Sequence, residues 1–252
     1  MGIDLSLLLG AYSQGIFPMA DARGASPTFW VEPKKRAIIP LDGLTVSRSL
    51  RKTVRQDRFT VTTDTAFARV MELCAEPAED RRDSWINDEI FEAFCALNRT
   101  GHAHSVECWQ AGELVGGLYG LSIGRAFCGE SMFSRRTDAS KVALVWLVAR
   151  MRAGGYALLD CQFMTDHLAS LGAVEISQSE YLERLHAAMP RPGGQAYSAV
   201  DSSVEGSGAG DWSALDSLLS EAGAGAADGS ASAGELSSSP GKLILHSLTQ
   251  TS

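Results

Sequence analysis

A carboxylate and an amide close an apolar run at Asp160-Cys161-Gln162, and no other feature constrains the fold of this chain so strongly. At the end of a buried strand, both groups are costly unless they are hydrogen-bonded or act on something. The strand is read over residues 156–162, and Gly154 and Gly155 set it off from an amphipathic helix over 139–152. Upstream, Gly129-Glu130-Ser131-Met132-Phe133-Ser134-Arg135 brings a second carboxylate to the end of another strand. Strand, helix, strand, with an acid on each strand, is the outline of an α/β active site.

With 252 residues the chain can form one large domain or two small ones around a substantial core. No apolar run approaches the roughly eighteen residues of a membrane span. The N-terminal segment shows neither a basic start nor a cleavage pattern, so a cytoplasmic protein is expected. Cys74, Cys95, Cys108, Cys128 and Cys161 are scattered, without a C-x-x-C pair, and read as reduced, buried thiols rather than disulfides or zinc ligands. Cys161 should point to the opposite strand face from Asp160 and Gln162. The net charge of −8 is unevenly spread: residues 193–252 hold seven acids and only Lys242, which leaves −2 for residues 1–192.

Residues 1–58 read as a small N-terminal α/β domain. It holds a helix over 5–14 stopped by Gly15, a turn at Ile16-Phe17-Pro18, Phe29-Trp30 leading into a basic loop, a strand over 37–40, and a helix from the N-cap Ser47 through 56. On that last helix Arg48, Arg51, Lys52 and Arg55 fall at i, i+3, i+4 and i+7 with no acid to offset them, which makes either a solvated face or a phosphate-binding one. Residues 59–192 read as a second domain. A strand over 60–63 and helices over 64–74 and 87–98 lead into a strand meander over 104–110, 114–123 and 126–132. The 139–152 crossover helix, the 156–162 strand and a closing helix near 178–189 follow. The expected class is α+β, a mixed sheet flanked by helices, and its order resembles the layout of the Gcn5-related N-acyltransferases. Residues 193–252 form an acidic tail whose Ser/Gly/Ala-rich stretch from 198 to 241 reads as a disordered linker with a brief amphipathic turn at 212–219. The apolar segment 242–248 is expected to dock as a terminal strand.

If the 126–132 and 156–162 strands are neighbours, Glu130 approaches Asp160 and Gln162. Two carboxylates and an amide make an acceptor-rich pocket, suited to holding a cation and to orienting or deprotonating an amine. An ion pair to Arg135 or Lys141 is the plain structural alternative for one of these acids. Phe127, Met132, Phe133, Leu144 and Leu147 either line a slot beside the trio or are ordinary core. Trp30 and Trp85, next to polar segments, cap a core edge or stack on a base. His102, His104 and Glu107 do not complete a metal set, and Ser131 and Ser134 lack a His/Asp partner. The segment 134–139 before the crossover helix has no glycine, which argues against a coenzyme A pyrophosphate held there. Neither a metal nor a cofactor is expected.

Several ordered blocks resemble the bacterial leucyl/phenylalanyl-tRNA–protein transferases. They are Tyr12-Ser13-Gln14-Gly15-Ile16-Phe17-Pro18, Ser84-Trp85-Ile86, Gly101-His102-Ala103-His104-Ser105-Val106-Glu107, the 127–135 stretch, Ala139-Ser140-Lys141, Asp160-Cys161-Gln162 and Leu171-Gly172-Ala173. The resemblance covers roughly residues 3–190. It implies transfer of Leu or Phe from aminoacyl-tRNA to an N-terminal Arg or Lys of a protein, marking that protein for degradation, by an enzyme without metal or coenzyme A. It further implies that Asp160 and Gln162 position and activate the acceptor amine and that Glu130 helps hold the basic residue. Trp30 and Trp85 would receive the tRNA 3′ end. Phe127, Met132, Ser134, Leu144 and Leu147 would line the aminoacyl pocket, and Arg48, Arg51, Lys52 and Arg55 would meet the tRNA backbone. Whether Asp160 takes the proton itself, or acts through Gln162 or the vicinal hydroxyl of the tRNA, is open at the level of sequence. The alternatives are a coenzyme A-dependent N-acyltransferase and a non-catalytic tRNA-binding protein.

Overall fold

The computed structural model describes residues 2–25, 27–77, 84–189, 208–224 and 239–249. The chain opens with helix α1 (Leu5–Ser13), whose first turn is capped by Asp4 accepting from the Leu7 N–H at 2.8 Å. Strands β1 (Phe17–Met19) and β2 (Phe29–Val31) then form a separate antiparallel ribbon, where the sequence suggested only a turn and a loop. Next come strand β3 (Lys35–Ile39) and helix α2 (Arg48–Arg55), the latter capped by Ser47 as its sequence predicts.

β4 (Thr60–Thr63) and helices α3 (Phe67–Cys74) and α4 (Asp88–Arg99) precede the meander β5 (Ala103–Gln110), β6 (Glu113–Ile123) and β7 (Ala126–Ser134). Helix α5 (Ala139–Ala153) crosses over to β8 (Leu158–Gln162), and α6 (Asp166–Ser170), β9 (Val174–Ser177) and α7 (Gln178–Ala188) follow. Seven strands share one sheet in the order β4-β5-β6-β7-β8-β3-β9, with every neighbouring pair antiparallel except β7–β8. This is a mixed, mostly antiparallel α+β architecture. Residues 35–58, placed by sequence in the small N-terminal domain, supply an interior strand next to the edge of this sheet and a helix to its face. The apolar run Ala37-Ile38-Ile39 is buried and needs strands on both sides to pair its backbone.

Strand alternation sorts the core into two layers. Tyr119, Leu121, Cys128, Leu158 and Ile38 face α1, α3, α4 and α7. Leu118, Phe127, Leu159 and Ile39 face α2 and α5. Gly116 on β6 is required by the second layer, since a Cβ there would run into Ala139 at the start of α5.

Two further helices lie on the α5 side: α8 (Ala214–Ala224) and α9 (Pro240–Ser247). Within the stretch read as a linker, residues 208–224 are therefore a docked segment, while 198–207 and 225–238 lie outside the described residues. The terminal apolar segment is a helix rather than the expected strand. Pro240 occupies its first turn, where a missing N–H costs nothing, and Gly241, Ile244 and Leu245 fall on one buried face. No helix among the described residues is long and apolar enough to cross a membrane.

Candidate active site

Parallel pairing between β7 and β8 covers Ala126↔Leu158, Phe127↔Leu159 and Cys128↔Asp160 and goes no further. Both strands continue, β7 to Ser134 and β8 to Gln162, so they part like a fork. A cavity of about 380 Å³ opens there, with Leu118, Met132, Leu144, Leu147, Leu159 and Cys161 as its apolar wall and Glu130 and Gln162 as its polar centre. Met19, Trp85, Phe163, Thr165 and His167 also line it, with Tyr119, Gly129, Ser131 and Leu168. A register shift on β6 pairs Tyr119 with Ser131 and Gly120 with Gly129, which leaves Glu130 as the extra residue of a bulge. Bulges re-aim side chains, and this one turns a carboxylate into the cavity.

Glu130 is only 8 % exposed. Its Oε1 accepts from the Tyr12 hydroxyl at 2.8 Å and from Gln162 Nε2 at 3.0 Å, while its Oε2 is buried without a hydrogen-bond partner. Burial raises its pKa to about 7, with the Tyr12 and Gln162 hydrogen bonds working in the opposite direction. Asp160 is fully buried and saturated. Oδ1 accepts from Arg36 Nε and from the Gln162 backbone N–H, both at 2.8 Å, and Oδ2 accepts from Arg36 Nη2 at 2.6 Å and the Tyr181 hydroxyl at 3.1 Å. Arg36 also donates to the Gly15 carbonyl at 2.9 Å, and its guanidinium lies 4.7 Å and 4.4 Å from the Phe17 and Tyr181 ring centres. Burial disfavours the Arg36 charge, but the hydrogen bonds and charge of Asp160 outweigh it and hold the pKa above the usual value. Gln162 has φ 62°, a left-handed conformation uncommon for a residue with a side chain, and its N–H bond to Asp160 helps to fix it.

The cavity thus brings together Glu130, Gln162, Met132, Leu144, Leu147 and Trp85. Asp160 stands behind the wall and reaches the cavity only through Gln162. Phe127 is buried away from solvent, against Gly120 and stacked on Trp212 at 5.5 Å. Ser134 Oγ donates to the Arg136 carbonyl at 2.8 Å and receives the Ser140 N–H at the head of α5. Trp30, 41 % exposed, pairs with Pro18 and so shares the ribbon face opposite Phe17 and Met19. On α2, Arg48, Lys52 and Arg55 are exposed and Arg51 is half-buried.

The bases of the plain structural alternative are engaged elsewhere: Arg135 with Glu76 at 2.5 Å and Lys141 with Asp138 at 3.8 Å. His104 is committed to Asp64 at 2.7 Å, and Glu107 accepts from Ser105, Thr62 and Thr65. Cys161 packs toward α5, away from Asp160, but it lines the same cavity as Gln162, whose left-handed conformation interrupts the strand alternation. Sequence reading missed the roles of Arg36, Tyr12, Tyr181, Phe163 and His167. The available signal for Arg36 was its position two residues before Ile38, on the inward face of a strand. A roomier groove of about 620 Å³ lies between the N-terminus and α4, but it contains none of these groups.

An apolar slot that opens on a buried, partly unsatisfied carboxylate and a fixed amide, in the fork of a mixed sheet, is the site of a group-transfer enzyme. Residues 1–34 match the leucyl/phenylalanyl-tRNA protein transferase N-terminal domain, and residues 38–186 match the leucyl/phenylalanyl-tRNA protein transferase family itself. Among curated proteins, a leucyl/phenylalanyl-tRNA–protein transferase of Zymomonas mobilis is 56 % identical over 216 residues, 86 % of this chain and 76 % of that one. The Novosphingobium aromaticivorans protein of the same name is 52 % identical over 251 residues, 98 % of this chain and 95 % of its own. That of Rhizorhabdus wittichii is 61 % identical over 187 residues, 74 % and 75 % of the two chains. A solved structure described as L-PGS from Bacillus licheniformis aligns with a TM-score of 0.35 and 14 % identity over 62 % of this chain and 51 % of that one. The chain belongs to the leucyl/phenylalanyl-tRNA–protein transferase family.

Proposed function

We propose that this protein transfers leucine or phenylalanine, and by the same slot methionine, from aminoacyl-tRNA to the α-amine of a protein beginning with Arg or Lys, marking it for N-end-rule degradation. The observation that carries the reading is the buried, unpartnered Oε2 of Glu130 beside Gln162, at the end of an apolar cavity. A buried carboxyl oxygen with nothing to bind is costly, and a cationic acceptor supplies its partner and favours the ionised form. Gln162 gives its Nε2 hydrogen to Glu130, which leaves its Oε1 to accept from the attacking α-amine. Asp160, sealed by Arg36 and Tyr181, acts as the positioning residue that holds Gln162 in place. Met132, Leu144 and Leu147 receive the aminoacyl side chain, and Trp85 flanks the entering 3′ end with Trp30 farther out. Arg48, Arg51, Lys52 and Arg55 meet the tRNA backbone.

In the reaction the amine nitrogen bonds to the ester carbonyl carbon, the carbon–oxygen bond to the ribose breaks, and the ribose oxygen leaves with a proton. The ester is already activated, so alignment of amine against carbonyl accounts for much of the rate. The fork between β7 and β8 suits a Gcn5-related ancestry. Asp138 stands at the N-cap of α5, and a carboxylate there disfavours a coenzyme A pyrophosphate. We place the division between the two units near residue 34, ahead of β3, and take the protein to act as a cytoplasmic monomer without cofactor. The test is transfer of labelled phenylalanine from Phe-tRNA to a peptide beginning with Arg, beside its acetyl-Arg counterpart. Label on the free peptide alone is expected. No label on either, with tRNA still bound, would replace the reading with a non-catalytic one.

A further inference from the structure

The family match ends at residue 186, yet α9, far beyond it, is built into the α5 face. Its N-terminus is fixed by the Gly241 N–H, which donates to Asp57 Oδ1 at 2.7 Å, and a Cβ on Gly241 would run into the Val54 carbonyl of α2. Its C-terminus is fixed by Arg152 Nη1, which donates to the Leu248 carbonyl at 2.9 Å. An acid at the N-terminal end and a base at the C-terminal end complement the helix dipole. Ile244 and Leu245 are buried between these clamps.

The outward side of α9 carries Lys242 and His246, both exposed and one helical turn apart. Lys242 is the one lysine or arginine among residues 193–252. Of the tail's acids that are described, Asp211 lies just before α8, Asp216 and Glu221 lie on it, and α9 itself carries none. Among the described residues, charge is therefore segregated between α8 and α9. Lys242 directly follows the residue in contact with Val54 and Asp57, which places it at the C-terminal end of α2, where Arg55 and, just beyond the helix, Arg58 are exposed. Both helices pack into one core with α5, so their outward faces look away from the same side of the sheet.

We infer that α9 extends the cationic stripe of α2 and that Lys242 contacts the phosphodiester backbone of the tRNA donor. The inference rests on the reading of an aminoacyl-tRNA donor given above. Binding of Phe-tRNA to the full chain, followed by fluorescence anisotropy across a salt series, tests it with K242E, K242M, K242R and R55E.

K242E and K242M are expected to bind several-fold more weakly at low salt, with the slope of log affinity against log salt reduced by about one. K242R should bind as the parent does. Melting temperature and the KM for the Arg-peptide at saturating Phe-tRNA should not change. Parent-like affinity and slope in K242E, while R55E loses both, would overturn the inference and leave the donor reading intact. A lower melting temperature in K242M together with its affinity loss would assign Lys242 to docking of α9 instead. A parent chain that binds no Phe-tRNA at all would remove the donor reading, and this inference with it.

Discussion

Arg36 and Asp160 are both withdrawn from water, so each depends on the other for compensation. Removing one leaves the other as an uncompensated buried charge. Arg36→Met is accordingly expected to cost about 3–5 kcal/mol of stability in urea denaturation. Glu130 makes the opposite trade. The folded protein holds a proton on it up to about pH 7, whereas the ordinary value is 4.5. The native state therefore binds more protons than the unfolded chain between these values, and stability falls as pH rises through that window. Glu130→Gln removes the loss, so its stability relative to the parent should rise by roughly 3 kcal/mol from pH 4.5 to pH 8. The same substitution should lower kcat/KM for an Arg-peptide by roughly 10- to 100-fold, the worth of a hydrogen bond to a charged group. Asp160 and Gln162 were legible because polar groups ending an apolar run need an explanation. Arg36 was not, because its partner is 124 residues away and sequence patterns are local.

The meander, the crossover helix and β8 were legible as elements because each carries a long periodic pattern with glycines at its ends. β1 and β2 were not: three-residue strands contain too little alternation to register, and their pairing decides which way Trp30 faces. The terminal helix was misread as a strand because four apolar residues within six positions fit either period. Pro240 was the signal that separated them. The α8 segment docks through Trp212, which stacks on His104 at 4.2 Å, and through Asp216, which pairs with the buried Arg150. Trp212→Ala should therefore lower stability by about 3 kcal/mol in urea denaturation. On α5, Leu147 forms part of the slot. Leu147→Ala deepens it, and the ratio of Phe to Leu transfer should rise, by up to about 100-fold if one to three kcal/mol of packing is redistributed. A ratio measured on one preparation is insensitive to the accompanying loss of stability.

As a whole the molecule sets an exposed basic helix and a buried polar cavity about one sheet. The α5 face carries the cationic helices, and the opposite face carries Tyr12, Tyr181 and the buried ion pair that fix Gln162. Neither half was legible as a half from sequence, since β3 is drawn from the N-terminal segment and inserted between β8 and β9. That insertion has a consequence for biosynthesis. Arg36 is made 124 residues before Asp160, which at about 5–20 residues per second is a wait of roughly 6–25 s. Until β8 emerges from the ribosome, β3 has no strand to lie beside and its guanidinium has no anion, so both must remain hydrated. The nascent chain thus carries its N-terminal segment unfinished through most of its synthesis, and the cavity around Glu130 and Gln162 forms only when the last strands arrive.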